Sequence, residues 1–121
     1  MHCAPRVKDG LVNLLDVFVT ESESGPVVAL SGEADLTTLD QLNGALNAQI
    51  RAGARLVTVD LSRLRFADSA STTALGQAAR ALRSHGGDLE LLNPQPAIAR
   101  VLKLTGVDQS LTVREAPQRD R

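Results

Sequence analysis

The chain has 121 residues, 43% hydrophobic and 22% charged, which suffices for one buried core and not for two, since chains divide into separate cores only near 250 residues. Thirteen Lys and Arg against fourteen Asp and Glu leave a net charge of -1, without the positive surplus that gathers nucleic-acid phosphates. Phe18 and Phe66 are the only aromatic residues, so Leu, Val, Ile and Ala must fill the core, and a base-stacking platform for single strands is nearly excluded.

In chain order, residues 14–20 and 27–31 read as two strands joined across the polar stretch Glu21-Ser22-Glu23-Ser24-Gly25-Pro26, a hairpin. From Leu39 the apolar positions Leu42, Ala45 or Leu46, and Ile50 keep helical spacing. Thr37 with Asp40 resembles a capping box and Gly53 a stop, which predicts a helix over 38–52. Residues 56–61 form a strand, and Ala74, Leu75, Ala78, Ala79 and Leu82 line a second helix from Ala70, closed by Gly86-Gly87. Residues 89–92 are the next strand. A third helix opens at Pro96, lines one face with Ile98, Val101 and Leu102 and ends at Gly106, and residues 111–113 close the sheet. Short apolar runs alternating with amphipathic stretches belong to the α/β class. Residues 1–11 and 115–121 read as tails around a domain spanning 12–114.

The longest apolar runs, such as Val27-Val28-Ala29-Leu30, fall far short of the ~18 residues of a membrane span. The first residues, Met1-His2-Cys3-Ala4-Pro5-Arg6, lack the apolar stretch of a signal peptide; a cytoplasmic protein is expected. Cys3 is the only cysteine, which leaves no internal disulfide or cysteine metal cluster, and it reads as a terminal thiol without a role.

Hydroxyls concentrate in Arg65-Phe66-Ala67-Asp68-Ser69-Ala70-Ser71-Thr72-Thr73, where the second helix begins. Unpaired N–H groups and the helix dipole there favour a capping oxygen from Asp68 or Ser69, and equally a phosphate on a first-turn serine. Both readings are open from spacing alone. No G-x-S-x-G elbow surrounds Ser69, His2 lies in a tail, and His85 reads as a cation at a helix end, so neither a triad nor a metal site emerges. Gly86-Gly87 follows a helix and precedes a strand, the reverse of a phosphate cradle.

Asp60 reads as the end of its strand and the cap of the following turn. As a phosphoaspartate receiver it would need further Mg²⁺-binding carboxylates and a nearby lysine, and Lys8 and Lys103 are the only lysines. Glu33 and Asp35 leave the second strand at the Asp68 end if the strands run parallel. Without a histidine or metal partner they suit a docking surface better than acid–base chemistry. Arg63 and Arg65 flank the loop as solvated charges, in place to steer or pair with a phosphate.

Gly32-Glu33-Ala34-Asp35 resembles the G-E-x-D motif, and Asp60-Leu61-Ser62 through Phe66-Ala67-Asp68-Ser69 the D-L-S…F-x-D-S segment, of STAS domains, especially bacterial anti-sigma factor antagonists. Gly86-Gly87-Asp88-Leu89-Glu90-Leu91 and Leu102-Lys103-Leu104-Thr105-Gly106-Val107 are similar to two further family stretches, so the likeness covers about residues 12 to 114. It implies a single STAS-like α/β domain, a mixed β-sheet with helices mainly on one face, that acts as a protein ligand without catalysis, metal or cofactor.

In that family the unphosphorylated antagonist binds an anti-sigma factor, often itself a serine kinase of GHKL-type ATPase fold, and so frees the sigma factor. The kinase modifies the serine directly after the motif aspartate, which matches Ser69, and a phosphatase restores binding. The resemblance therefore implies a partner surface at Glu33, Asp35, Asp68, Ser69, Ala70, Ser71 and Thr72, with no nucleic acid or membrane contact. The usual D-S-x-G pattern is broken by Ser71 at the glycine position, and Ser71 is the nearest competitor for the phosphate. The alternative is a STAS module that binds a small ligand or serves a larger sensory or transport assembly. Without Trp or Tyr, the docking face is expected to consist of small aliphatic, hydroxyl and acidic groups with modest affinity.

Overall fold

Two apolar-rich strands, β3 (Leu15–Ser22) and β4 (Gly25–Ala34), form the expected hairpin. The computed structural model describes residues 7–8, 11–12, 15–109 and 111–115. Ahead of the hairpin, β1 (Val7–Lys8) pairs antiparallel with β2 (Leu11–Val12), a short ladder within the stretch read as a tail. The expected C-terminal tail lies outside the described residues except for Glu115. In the hairpin turn Ser22 Oγ donates to Gly25 O at 2.8 Å. Gly25 has φ +134 and approaches the Leu56 carbonyl so closely that any side chain would collide with it, so the turn requires glycine there.

The remaining chain alternates strand and helix as the apolar spacing predicts: α1 (Leu39–Arg51), β5 (Leu56–Ala67), α2 (Ser69–Arg83), β6 (Asp88–Leu92), α3 (Pro96–Thr105) and β7 (Thr112–Arg114). The sheet order is β3-β4-β5-β6-β7, with β3 antiparallel to β4 and every other pairing parallel. Because neighbours in the sheet are neighbours in sequence, right-handed crossovers carry the helices to one face, where α2 packs against both α1 and α3. The protein is a single α/β domain with a mixed five-stranded sheet and three helices. No helix among the described residues is long and apolar enough to cross a membrane.

Leu, Val, Ile and Ala build the core alone. Leu15, Leu30, Leu42, Leu46, Leu61 and Leu82 are each at most 2% exposed, whereas Phe18 and Phe66 are 54% and 47% exposed. The helices bury the positions their periodicity marks: Leu42 and Leu46 in α1, Ala74, Leu75, Ala78, Ala79 and Leu82 in α2, Ile98 and Leu102 in α3. The Gly-Gly stop of α2 divides two tasks. Gly86 takes the left-handed conformation at φ +83, while Gly87 N–H returns to Leu82 O at 2.8 Å and lies so close to the Arg55 backbone that a Cβ would clash.

Two expectations are corrected. The capping box joins Asp35 and Thr38 on the 3₁₀ turn Leu36–Thr38 rather than Thr37 and Asp40, because that turn precedes α1 and needs its own cap. The strand expected to stop near Asp60 runs on to Ala67. Two register shifts against β4, between Ala29 and Ser31 and between Gly32 and Glu33, break the period-two pattern. Buried apolar positions then fall at Val57, Val59, Leu61, Leu64 and Ala67, a spacing that reads as loop in the sequence. Asp60 therefore lies inside the strand, its Oδ1 accepting from Ser62 N–H at 3.0 Å across the first bulge. Gln95 Nε2 donates to Ser62 O at 2.7 Å and ties the start of α3 to the same place.

Candidate functional site

Parallel pairing brings the ends of β4 and β5 together. Glu33 pairs with Phe66 and Ala34 with Ala67, and Asp68 N–H donates to Ala34 O at 3.1 Å. Asp35 and Asp68 consequently leave adjacent strands at one end of the sheet, each as the cap of the helical turn that follows. Asp35 Oδ1 accepts from Thr37 Oγ1 at 2.6 Å and from Thr37 N–H at 2.9 Å, and Asp35 N–H donates to Thr38 Oγ1 at 3.0 Å. The Thr37 hydroxyl is the main cause holding the Asp35 carboxyl below the ordinary carboxylate value; slight desolvation opposes it and backbone N–H donors reinforce it. Asp35 is thus a fixed negative charge at neutral pH. Its contribution to the loop is complete above the ordinary range and is lost as the pH falls through the lowered value.

Asp68 Oδ1 accepts from Ser71 N–H at 2.9 Å and caps α2, which settles the capping role in its favour over Ser69. Replacing Asp68 with Ala is expected to cost about 1 kcal/mol, read as a lower urea midpoint with an unchanged m-value. Ser69, the first helical residue, is exposed, and Ala70 is half-buried.

Ser71 and Thr72 depart from expectation. Both belong to the implied partner surface, yet they are only 1% and 0% exposed. The i, i+3 and i, i+4 positions that follow them on the same face, Ala74, Leu75 and Ala78, form the core stripe of α2, so the helix turns these hydroxyls inward. Thr72 Oγ1 donates to Ser69 O at 3.0 Å, whereas Ser71 Oγ is buried without a hydrogen-bond partner. In this fold the Ser71 hydroxyl is shielded from solvent while Ser69 is exposed. Removing an unsatisfied buried hydroxyl relieves a desolvation cost of about 1–3 kcal/mol, so Ser71→Ala is expected to leave the thermal midpoint unchanged or raise it. A fall would reveal a partner for the hydroxyl.

The arginines separate. Arg65 pairs with Glu33 at 3.6 Å, a surface contact that occupies both groups. Arg63 lies further down β5 opposite Ser31 and does not join the loop. His85 Nδ1 donates to Ala81 O at 3.0 Å at the end of α2, a local helix-end contact far along the helix from Ser69. Among the described residues no group of three or more His, Cys, Asp or Glu is placed to hold a metal ion; Cys3 lies outside the described residues.

Two apolar groups beside Ser69 escape sequence reasoning. Leu36, directly after Asp35, is 61% exposed, and Phe66, two residues before Asp68, is 47% exposed. The expected face of small, hydroxyl and acidic groups thus carries an aromatic and a large aliphatic side chain. A lone aromatic between Arg65 and Asp68, off the apolar period of its strand, is the signal that could have marked Phe66.

The model of the family described as Mlab, STAS domain matches residues 17–114. This chain belongs to the STAS domain family. BtrV of Bordetella bronchiseptica, named an anti-sigma factor antagonist, is 31% identical over 80 residues, 66% of this chain and 69% of that protein. An anti-sigma factor antagonist from Mycobacterium paratuberculosis has a solved structure that superimposes with a TM-score of 0.76 at 26% identity, covering 83% of this chain and 85% of the other. Unphosphorylated SpoIIAA, also an anti-sigma factor antagonist, gives a TM-score of 0.73 at 24% identity over 85% of this chain and 90% of its own. SpoIIAA is also known in a phosphorylated form, which gives 0.67 at the same identity. The relatives of this STAS domain are regulatory proteins, and its fold is theirs.

Proposed function

We propose that this STAS domain is an anti-sigma factor antagonist: it docks on an anti-sigma factor through the Ser69 end of its sheet, frees the sigma factor, and is switched off by phosphorylation of Ser69. The observation that carries the reading is the selective exposure of Ser69. In the opening turn of α2, Ser71 and Thr72 are buried and Ser69 is accessible, with Asp35 and Asp68 as fixed caps and Leu36 and Phe66 as apolar neighbours.

The partner is an anti-sigma factor that is itself a serine kinase of GHKL-type fold, and the setting is the cytoplasm. The kinase transfers the γ-phosphoryl of ATP to Ser69 Oγ, with loss of the hydroxyl proton and departure of ADP. The product carries a charge of about -1.5 to -2 next to Asp35 and Asp68. A partner that closes over Leu36 and Phe66 would then have to desolvate a cluster of like charge, which outweighs the contacts of a modest interface. A phosphatase restores the neutral hydroxyl and the affinity.

Incubation with such a kinase and ATP, followed by phosphosite mapping by mass spectrometry, tests the switch. Label on Ser69 is expected. Thr73 is the other exposed hydroxyl of this segment, and label confined to it, or none at all, removes the switch.

A further inference from the structure

Parallel strands are normally covered on both faces, yet among the described residues the helices cover only one. On the other face the register lines up Phe18, Ala29, Asp60 and Leu92 across four strands, and Phe18 is 54% exposed. The first β5 bulge acts on this face. Asp60 and Arg63, three residues apart, would point to opposite sides of a regular strand; the extra residue opposite Leu30 turns both to the same side. With Phe18 and Ser31 they line a shallow depression of about 180 Å³.

These two charges lack a partner of opposite sign. Among the described residues neither Asp60 nor Arg63 makes an ion pair, whereas the neighbouring charges on this face, Glu90 and Arg114, pair with each other at 2.9 Å. Asp60, Arg63 and the exposed Phe18 ring, side by side, form a self-complementary pattern. Asp16, opposite Ser31 on the same face and also without an ion pair among the described residues, adds a second carboxylate near Arg63. A two-fold axis lying in the plane of the contact, midway between Asp60 and Arg63, would bring each group opposite its complement, since in such an interface residue i meets residue j and j meets i.

We propose that the helix-free face of the sheet is the contact between two copies of this chain, with Arg63 of each copy paired to Asp60 of the other and the Phe18 rings packed at the centre. Five strands about 4.8 Å apart, from three to twelve residues long at about 3.3 Å per residue, outline roughly 500–600 Å². That is below the ~800 Å² per partner of stable complexes, so the dimer is transient and assembles at high micromolar concentration. Ser69 lies in α2, beyond the end of β5, and the pairing of Asp60 with Arg63 does not depend on the function proposed for it.

Sedimentation equilibrium of the full chain, from about 10 µM to about 1 mM, reads the association directly. Arg63→Glu sets a new carboxylate against Asp60 of the other copy, and Asp60→Lys sets a new ammonium against Arg63; each is expected to weaken self-association at least about tenfold. An equimolar mixture of the two variants restores opposite charges across the contact and is expected to associate as tightly as the native chain. Asp60→Lys also loses the Ser62 N–H bond, so circular dichroism of each variant accompanies the measurement, and Phe18→Ser supplies a second disruption that leaves the bulge intact. A native chain that stays monomeric to about 1 mM, or a mixture no tighter than either variant alone, overturns the proposal, and Ser69→Glu is expected to leave association unchanged.

Discussion

Ser69→Glu is expected to weaken binding to the anti-sigma factor by about 2–4 kcal/mol, some thirty- to thousandfold in Kd, while Ser69→Ala binds like the native protein. The carboxylate adds a charge beside Asp35 and Asp68, and a closing partner cannot leave it hydrated. Alanine removes only a hydroxyl that makes no side-chain hydrogen bond of its own in the structure; the Ser69 group engaged by Thr72 is the backbone carbonyl. Both substitutions are on an exposed site and should move stability by no more than about 0.5 kcal/mol, so isothermal titration calorimetry on two folded variants isolates the charge. Equal affinity of Ser69→Glu and native protein would leave docking standing and refute the switch. The same substitution at Ser71 behaves differently, because a carboxylate at a position 1% exposed unfolds the start of α2 rather than blocking a surface.

Phe66→Ala is the second large effect. An aromatic ring 47% exposed three residues before Ser69 is the strongest candidate for an interface anchor, and its truncation is expected to cost about 2 kcal/mol of binding, with Leu36→Ala costing about 1 kcal/mol. Neither side chain belongs to the core, so thermal midpoints should hold within one or two degrees while the dissociation rate rises. Unchanged binding in the double variant would move the docking surface away from this end of the sheet. Phe18→Ala serves as control: it is comparably exposed but lies level with Asp60, six residues along the sheet from Phe66, and binding to the anti-sigma factor should not respond to it.

The contrast between Ser69 and Ser71 shows why the site was only half legible. The sequence marks a hydroxyl-rich helix start and the aspartate before it, and capping chemistry follows from residue type and position alone. Which hydroxyl faces solvent depends on the rotation of α2 about its axis. That rotation is set when Ala74, Leu75, Ala78 and Ala79 seat against the sheet, and Ser71 and Thr72 are carried inward with them. Leu36 and Phe66 were invisible for a similar reason, because apolar character predicts burial and only the position at the end of the sheet leaves them uncovered.

The fold divides along the same line. Length, near-neutral charge, scarce aromatics and local periodicity by themselves determined one α/β core of aliphatic side chains, the order of its elements, the hairpin, the Gly86-Gly87 and Gly106 helix ends, and a hydroxyl-rich start to the second helix. These are properties of residue type and of neighbours within a few positions, where intrinsic backbone preference and apolar spacing dominate. Only the tertiary structure decided that β5 continues through two bulges past Asp60, that Arg65 is spent on Glu33 while Arg63 faces the open side of the sheet, and that Ser69 alone of the first-turn hydroxyls is accessible. Each of these follows from strand register and helix seating, in which residues distant in the chain compete for the same space, and no local pattern encodes the outcome of that competition.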